Sequence, residues 1–338
     1  MSDVDVDPAA VHATIREEVG RVLIGNDDVL EGITISMLTG GHVLLEGVPG
    51  VAKTTIANLV ARATGLEYNR IQMTPDILPA DITGTHVYRE GTGAFELQKG
   101  PVFANMVVAD EINRATPKTQ SALLEAMEEA NVTIEGETLP LPQPFTVIAT
   151  QNPLEMEGTF SLPEAQRDRF QFKLTVDLPD RAMERQLLDR FDKDPTLGPE
   201  TAGQVVDKAT FLAAREAVEE VHVSEPVREY ILDIVAATRD SPNVEHGGSP
   251  RATLAFLNAG KARAAIRGRD YVIPDDVKTL ARPVLAHRLV LSTEAELGGE
   301  SPVNIVDRLV NTVDAPSSVP SAESPQEADQ KPAEHDSN

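Results

Sequence analysis

The stretch His42-Val-Leu-Leu-Glu46, followed by Gly47-Val-Pro-Gly-Val-Ala-Lys53-Thr54, decides the fold of this 338-residue chain. An apolar strand leads into a glycine-containing loop, and a helix-period pattern runs from Thr54 to Ala63. Strand, loop and helix in this order are the context of a phosphate-binding loop. Ala52 replaces the usual second glycine, a difference of one methyl group. Taken alone, the loop leaves a kinase, a GTPase and an ATPase motor open.

The loop predicts a site for ATP and Mg²⁺. Its backbone N–H groups and the N-terminus of the following helix can surround a phosphate anion. Lys53 is expected to place its charge on the β- and γ-phosphates, and Thr54 to coordinate Mg²⁺. The loop residues expected to bind the nucleotide are Gly47, Val48, Pro49, Gly50, Val51, Ala52, Lys53, Thr54 and Thr55.

Two further strands end in polar residues that fit the same chemistry. Met106-Val-Val-Ala-Asp110-Glu111 is a buried apolar strand that ends in two adjacent carboxylates, which point in opposite directions. Asp110 is predicted to hold Mg²⁺ through water, and Glu111 to polarise the attacking water. This pair favours hydrolysis over transfer to an acceptor. Asn152 follows the strand Phe145 to Thr150 and is a candidate to bind the lytic water or the γ-phosphate.

Short apolar runs alternate with helical patterns between residues 40 and 176, which predicts an α/β fold with a parallel five-stranded sheet. A helix is expected at about residues 119 to 130. Two segments alternate around glycine turns instead, His86 to Leu97 and Val132 to Leu139, and predict β-hairpins. The five predicted strands are His42 to Glu46, Tyr68 to Met73, Met106 to Ala109, Phe145 to Thr150 and Gln171 to Val176.

The C-terminal part of the chain has helical periodicity without strand patterns, and it predicts a small all-helical domain. We therefore expect a nucleotide-binding domain at residues 1–178, a helical domain at 179–314 and a disordered acidic tail at 315–338. The helices expected in the second domain are Arg181 to Phe191, Ala209 to Val221, Val227 to Thr238 and Arg251 to Arg267.

Composition excludes several classes of protein. Lys and Arg total 30 against 54 Asp and Glu, so the net charge is −24, which disfavours nucleic-acid binding. Arginines number 21 and lysines only nine, and a charge of −20 remains on residues 1–314, which predicts adaptation to high salt. The absence of cysteine excludes disulfides and thiolate metal sites. No apolar run is long enough to span a membrane, and we expect a soluble cytoplasmic protein.

Taken together, residues 5 to 312 resemble the MoxR family of AAA+ ATPases. The resemblance implies an αβα nucleotide domain with a helical lid, a ring, expected to be hexameric, and ATP bound between subunits. It also implies that both hairpins face the pore of the ring. The strings that carry it are Gly47 to Thr54, Gln72 to Gly84, Lys99 to Arg114, Lys118 to Met127, Ile148 to Pro153 and Leu162 to Phe170.

The family resemblance also assigns roles to two arginines. Arg169 matches the arginine finger that reaches a neighbour's γ-phosphate, although Arg167 stands where an apolar residue is usual and is a second candidate. Arg251 matches the sensor-2 arginine of the lid. Ser249 is a good N-cap and Pro250 fits the first helical position, so Arg251 would begin a helix with its side chain free to reach back. Ile24 and Gly25 resemble the segment that packs against adenine.

The sequence is compatible with three functions. A chaperone-like motor that remodels or matures a partner protein or metalloenzyme is favoured, and the resemblance implies a partner with a von Willebrand factor A domain. A nucleic-acid motor would need cationic pore hairpins, but Val132 to Leu139 carries Glu135 and Glu137 and no Lys or Arg. The motor subunit of a metal chelatase is the third possibility.

Overall fold

The computed structural model describes residues 6–91, 93–153 and 158–316, and most of the tail predicted at 315–338 lies outside these ranges. The helices are α1 (Pro8–Val22), α2 (Asp27–Thr39), α3 (Lys53–Thr64), α4 (Pro79–Thr83), α5 (Pro117–Glu129), α6 (Glu164–Arg167), α7 (Arg181–Lys193), α8 (Lys208–Glu219), α9 (Glu225–Asp240), α10 (Pro250–Ile266), α11 (Pro274–Leu285), α12 (Thr293–Leu297) and α13 (Pro302–Thr312). The strands are β1 (Val43–Glu46), β2 (Tyr68–Gln72), β3 (Gly84–Arg89), β4 (Ala94–Lys99), β5 (Met106–Asp110), β6 (Asn131–Ile134), β7 (Glu137–Pro140), β8 (Thr146–Gln151), β9 (Phe172–Thr175), β10 (Val244–His246) and β11 (Val290–Leu291).

The predicted five-stranded parallel sheet is confirmed, in the order β2-β5-β8-β1-β9. Strand β5 is buried along its whole length, as a continuous apolar run in a parallel sheet requires. Because neighbouring strands are parallel, the segments that follow β1, β5 and β8 leave the sheet at the same edge. This arrangement brings the loop after β1 next to the acidic pair and Asn152.

Both predicted hairpins are confirmed as antiparallel pairs, β3 with β4 and β6 with β7. Glu135 and Gly136 form the turn of the second hairpin, and both have positive φ angles. His86 Nδ1 of the first hairpin lies 3.2 Å from Glu135 Oε2 of the second. The two hairpins therefore lie side by side.

The two faces of the sheet belong to different apolar clusters. On one face, Leu44 and Val107 pack with residues of α5 and the hairpins. On the other face, Val43 and Leu45 pack with α1, α2 and α3, and this cluster continues into the C-terminal helices. Helices α1 and α2 therefore connect the sheet to the C-terminal region, while the predicted division at residue 178 stays a prediction.

The C-terminal region is helical, as the sequence predicts, but it also contains a short antiparallel ribbon of β10 and β11. The ribbon was not predicted. Its strands have three and two residues, which is too short to show an alternating pattern.

Arg288 connects this region to the segment that precedes β9. Its side chain is only 3% exposed, and Nε donates to Asp168 Oδ1 at 2.8 Å. Other guanidinium nitrogens donate to the carbonyl oxygens of Phe170, at 2.7 Å, and Gln171, at 3.1 Å. These bonds satisfy a charge that would otherwise be costly to bury.

We expect Arg288→Met to lower the free energy of unfolding by about 3 to 5 kcal/mol, because Asp168 and the carbonyl groups lose a buried partner. Arg282→Met is the matched control, since Arg282 is 64% exposed and pairs with Asp307. An exposed pair contributes at most about 1 kcal/mol. Chemical denaturation of both variants measures the difference, and equal losses would contradict the structural role of Arg288.

Candidate active site

The loop between β1 and α3 has a backbone shaped for close approach to an anion. A Cβ on Gly47 would lie 2.5 Å from the carbonyl oxygen of Val176, so only glycine fits there. Gly50 and Ala52 have φ angles of +86° and +64°, in the left-handed region. Ala52 precedes α3 and provides no side-chain cap, so the first N–H groups of the helix remain available to a ligand.

Lys53 and Thr54 begin α3, and they line the same cleft as Asp110, Glu111 and Asn152. Lys53 Nζ donates to the carbonyl oxygens of Gly47 and, at 3.1 Å, of Val48. Thr54 Oγ1 donates to Asp110 Oδ2 at 3.4 Å. The hydroxyl and the carboxylate are the oxygen donors that Mg²⁺ prefers, so these two residues fit a magnesium site.

The side chains of Asp110 and Glu111 at the end of β5 have different hydrogen-bond partners, although Thr150 also contacts the Glu111 backbone. Asp110 is buried, and its Oδ1 accepts from Thr150 Oγ1 at 2.5 Å. Arg70 Nε donates to Oδ2 of Asp110 at 3.1 Å. The backbone N–H of Glu111 donates to Thr150 Oγ1 at 2.9 Å, so one threonine contacts both acidic residues.

The Glu111 backbone has a φ of +58°, which costs a non-glycine residue about 1 kcal/mol or more. Glu111 Oε2 accepts from Gln72 Nε2 and from Arg114 Nη1, both at 3.0 Å. Two donors therefore fix the orientation of the Glu111 side chain, which lines the cleft and is 28% exposed.

Asn152 follows β8 and is buried. It lines the same cleft of about 390 Å³ as the loop and the acidic pair. The structure therefore brings residues 49–55 of the predicted loop together with Asp110, Glu111 and Asn152, while Gly47 and Val48 do not line this cleft. The residues that line this cleft are Pro49, Gly50, Val51, Ala52, Lys53, Thr54, Thr55, Asp110, Glu111, Thr150 and Asn152.

Sequence reasoning missed four residues that hold the acidic pair, namely Arg70, Gln72, Arg114 and Thr150. In the register of the sheet, Gln72 of β2 lies opposite Asp110 of β5. Polar residues at alternate positions of a strand share one face, so the spacing of Arg70 and Gln72 was a usable signal. Without the strand order, however, nothing in the sequence assigned that face to Asp110.

Ile24 and Gly25 are not among the residues that line the Lys53 cleft. They line a second cleft of about 470 Å³ together with Gln186 and Arg190 of α7. Gly25 has a φ of +72°, and a Cβ there would lie 3.0 Å from the sulfur of Met183. The contact of this segment with adenine stays a prediction.

Arg169 and Arg251 lie together but away from the Lys53 cleft. Arg169 Nη2 is 2.7 Å from Glu128 Oε2. Arg251 Nη2 pairs with Oε1 of the same carboxylate. Ser249 caps α10 as predicted, since its Oγ accepts from the Arg251 N–H at 3.1 Å. The Arg251 side chain is not free, however, because Glu128 binds it.

A third cleft, of about 450 Å³, contains both arginines and Glu128 together with Gly41 and His42. Gly41 and His42 immediately precede β1, whereas the phosphate-binding loop follows it. The arginine pair therefore lies at the opposite edge of the sheet from Lys53. Arg167, the second candidate for the finger, does not line this cleft.

The parallel sheet has a phosphate-binding loop after β1 and an acidic pair at the end of β5, with β8 between these two strands, and a helical C-terminal region follows. These features define an AAA+ ATPase domain with its lid. Family models agree with this class. Residues 42–172 match the ATPase family associated with various cellular activities (AAA), and residues 236–309 match the AAA lid domain.

Proteins with similar sequences show which family of AAA+ ATPases this chain belongs to. The chain is 44% identical to chaperone MoxR1 of Mycobacterium tuberculosis, over 91% of this chain and 84% of that protein. It is 45% identical to protein YeaC of Bacillus subtilis, over 89% of this chain and 93% of that protein. The chain belongs to the MoxR family of AAA+ ATPases.

A solved structure supports the fold over nearly the whole chain. A candidate ATPase from Cytophaga hutchinsonii is similar with a TM-score of 0.85 and 39% sequence identity. The match covers 92% of this chain and 96% of that one. Among the described residues, none of the helices has the length and apolar character that a membrane span requires.

Proposed function

We propose that this protein hydrolyses ATP with Mg²⁺ and works as a ring, expected to be hexameric, that remodels or matures a partner protein or metalloenzyme. One observation carries the proposal. Lys53, Thr54, Asp110, Glu111 and Asn152, from three separate segments, line or face a single cleft at one edge of the sheet. Family membership supports the same chemistry.

In the proposed reaction, water attacks the γ-phosphorus of ATP and the bond from phosphorus to the bridging oxygen breaks, which gives ADP and phosphate. Lys53 and the loop N–H groups bind the phosphates. Glu111 orients the water and takes its proton, and Asn152 binds the water or the γ-phosphate. Thr54 and, through water, Asp110 would hold Mg²⁺, which would supply neutralisation of the phosphate charge.

We propose that Arg169 and Arg251 both act on the nucleotide of a neighbouring subunit. They lie near the start of β1, and the phosphate-binding loop lies beyond its end. Four residues of strand separate these edges by about 13 Å. An arginine pair at one edge and a phosphate site at the other are complementary when copies of the chain assemble head to tail, and such contacts form a ring when the rotation between subunits closes.

Lys53→Ala tests the proposed ATPase most directly. We expect the variant to lose nucleotide binding, because the charge at the β- and γ-phosphates is removed. Lys208→Ala is the control, since Lys208 is an exposed lysine at the start of α8. Phosphate release and ATP titration, with Mg²⁺ and with a chelator, measure the outcome. Full ATP binding by Lys53→Ala would contradict the assigned site.

The client is proposed to be a protein that contains a von Willebrand factor A domain. The hairpin β6–β7 carries Glu135 and Glu137 and no basic residue, which disfavours a nucleic-acid motor. Affinity capture with a Glu111→Gln variant at high salt tests this partner. Recovery of the subunits of a metal chelatase instead would favour the chelatase function.

We also propose that the protein is adapted to high salt, from its charge of −24 and its use of arginine in preference to lysine. We expect the melting temperature to rise steeply as NaCl increases from about 0.1 M to 1 M, because the screening length falls from ~10 Å to ~3 Å. NaCl is preferred to sulfate, which strengthens apolar burial in any protein. An unchanged melting temperature would contradict salt adaptation.

A further inference from the structure

Glu128, in the last turn of α5, contacts both arginines of the proposed ring interface. Its Oε2 lies 2.7 Å from Arg169 Nη2, and its Oε1 accepts from Arg251 Nη2. Arg169 reaches it from the segment after α6, and Arg251 reaches it from the first turn of α10. One carboxylate therefore connects three separate parts of the fold.

Within the described part of the chain, this carboxylate is the ion-pair partner of both guanidinium groups. Each arginine uses one terminal nitrogen for it and keeps further N–H donors for a ligand. The Arg169 side chain is 28% exposed and that of Arg251 is 46% exposed. Both groups are therefore accessible to a neighbouring molecule while one end of each is fixed.

The backbones that carry the two arginines are joined without Glu128. Asp168 Oδ2 accepts from Ser249 Oγ at 2.9 Å, and Asp168 Oδ1 accepts from Arg288 Nε at 2.8 Å. The Glu128 side chain is 38% exposed. The end of its helix is held by a hydrogen bond of 3.0 Å between His42 Nε2 and the carbonyl oxygen of Met127. We therefore expect loss of the Glu128 carboxylate to change the orientation of the arginine side chains and to leave the fold intact.

We infer that Glu128 is a positioning residue that holds Arg169 and Arg251 side by side, with their remaining donors directed at the γ-phosphate of a neighbouring subunit. The inference rests on the proposed function of the two arginines. Two adjacent guanidinium groups repel each other, and each has a long side chain with about 2 kcal/mol of rotamer entropy. A carboxylate between them offsets the repulsion and orients both groups before the phosphate arrives, which is preorganisation.

Glu128→Ala tests the inference. We expect kcat for ATP hydrolysis to fall by about 10²-fold, the loss typical of a misplaced catalytic group, with ATP binding and KM unchanged. Glu128→Asp should restore part of the rate, because it keeps a carboxylate that is shorter by one methylene. Glu129→Ala is the matched control, since it removes the same charge from the next residue, which is also exposed.

Assemblies that contain two variants distinguish the positioning role of Glu128 from a defect in the nucleotide cleft of the same subunit. Glu128→Ala subunits should regain activity with Lys53→Ala subunits, which donate an intact arginine pair, and not with Arg169→Ala subunits. A Glu128→Ala rate equal to or above that of the parent would overturn the inference, and so would rescue by Arg169→Ala subunits. A parent-like rate for Arg169→Ala itself would contradict the proposed arginine function instead, whatever Glu128→Ala does.

Discussion

Glu111→Gln is expected to bind ATP like the parent protein and to hydrolyse it about 10³-fold more slowly. Glutamine has nearly the same shape, so the contacts to Gln72 and Arg114 can be kept in part. The amide cannot accept a proton from water, and general-base catalysis typically contributes between about 10² and 10⁴. Binding and chemistry should therefore separate in this variant.

Phosphate release under saturating ATP measures the rate of Glu111→Gln, and equilibrium titration measures its affinity. Glu125→Gln is the matched control, because Glu125 is an exposed residue of α5 outside the cleft. Hydrolysis at the parent rate would show that Glu111 does not activate water. Loss of ATP affinity would show that it acts in binding.

The local parts of this site could be predicted because their signals are contiguous in sequence. The loop Gly47 to Thr54 follows its strand directly, and Asp110 and Glu111 end an apolar run that can only be buried. Strand alternation and helix periodicity placed the sheet, the hairpins and six of the helices within a few residues of their observed bounds, whereas α1, α2, α11 and α13 were not predicted. These features depend on neighbours in the chain, which a sequence displays.

Contacts between distant segments could not be predicted in the same way. Thr150 bonds both residues of the acidic pair across 39 and 40 positions of sequence, and Glu128 meets Arg251 across 123. Such contacts follow from strand order and helix packing, which periodicity does not specify. The Arg251 side chain illustrates the difference, since its helix cap was predicted and its partner was not.

The proposed arginine finger, Arg169, gives the second large effect, because in the proposed ring this group acts on the nucleotide of a neighbouring subunit. We expect Arg169→Ala to bind ATP normally and to hydrolyse it about 10³-fold more slowly, as other arginine fingers contribute between about 10³ and 10⁵. Arg251→Ala should share this phenotype, since Glu128 holds both side chains at the same edge of the sheet. Arg167→Ala is the comparison that shows which arginine is the finger, and we expect it to lower the rate of ATP hydrolysis much less than Arg169→Ala does.

Mixing experiments test whether Arg169 acts between subunits. Arg169→Ala subunits have an intact Lys53 loop, and Lys53→Ala subunits have an intact arginine pair, so each kind is inactive alone. In a mixed ring, the interface that joins the intact loop of one subunit to the intact arginines of the next should hydrolyse ATP. Native mass spectrometry confirms that both variants are present in one assembly. Absence of recovery in such assemblies would contradict action between subunits, and full activity in a confirmed monomer would contradict the ring as well.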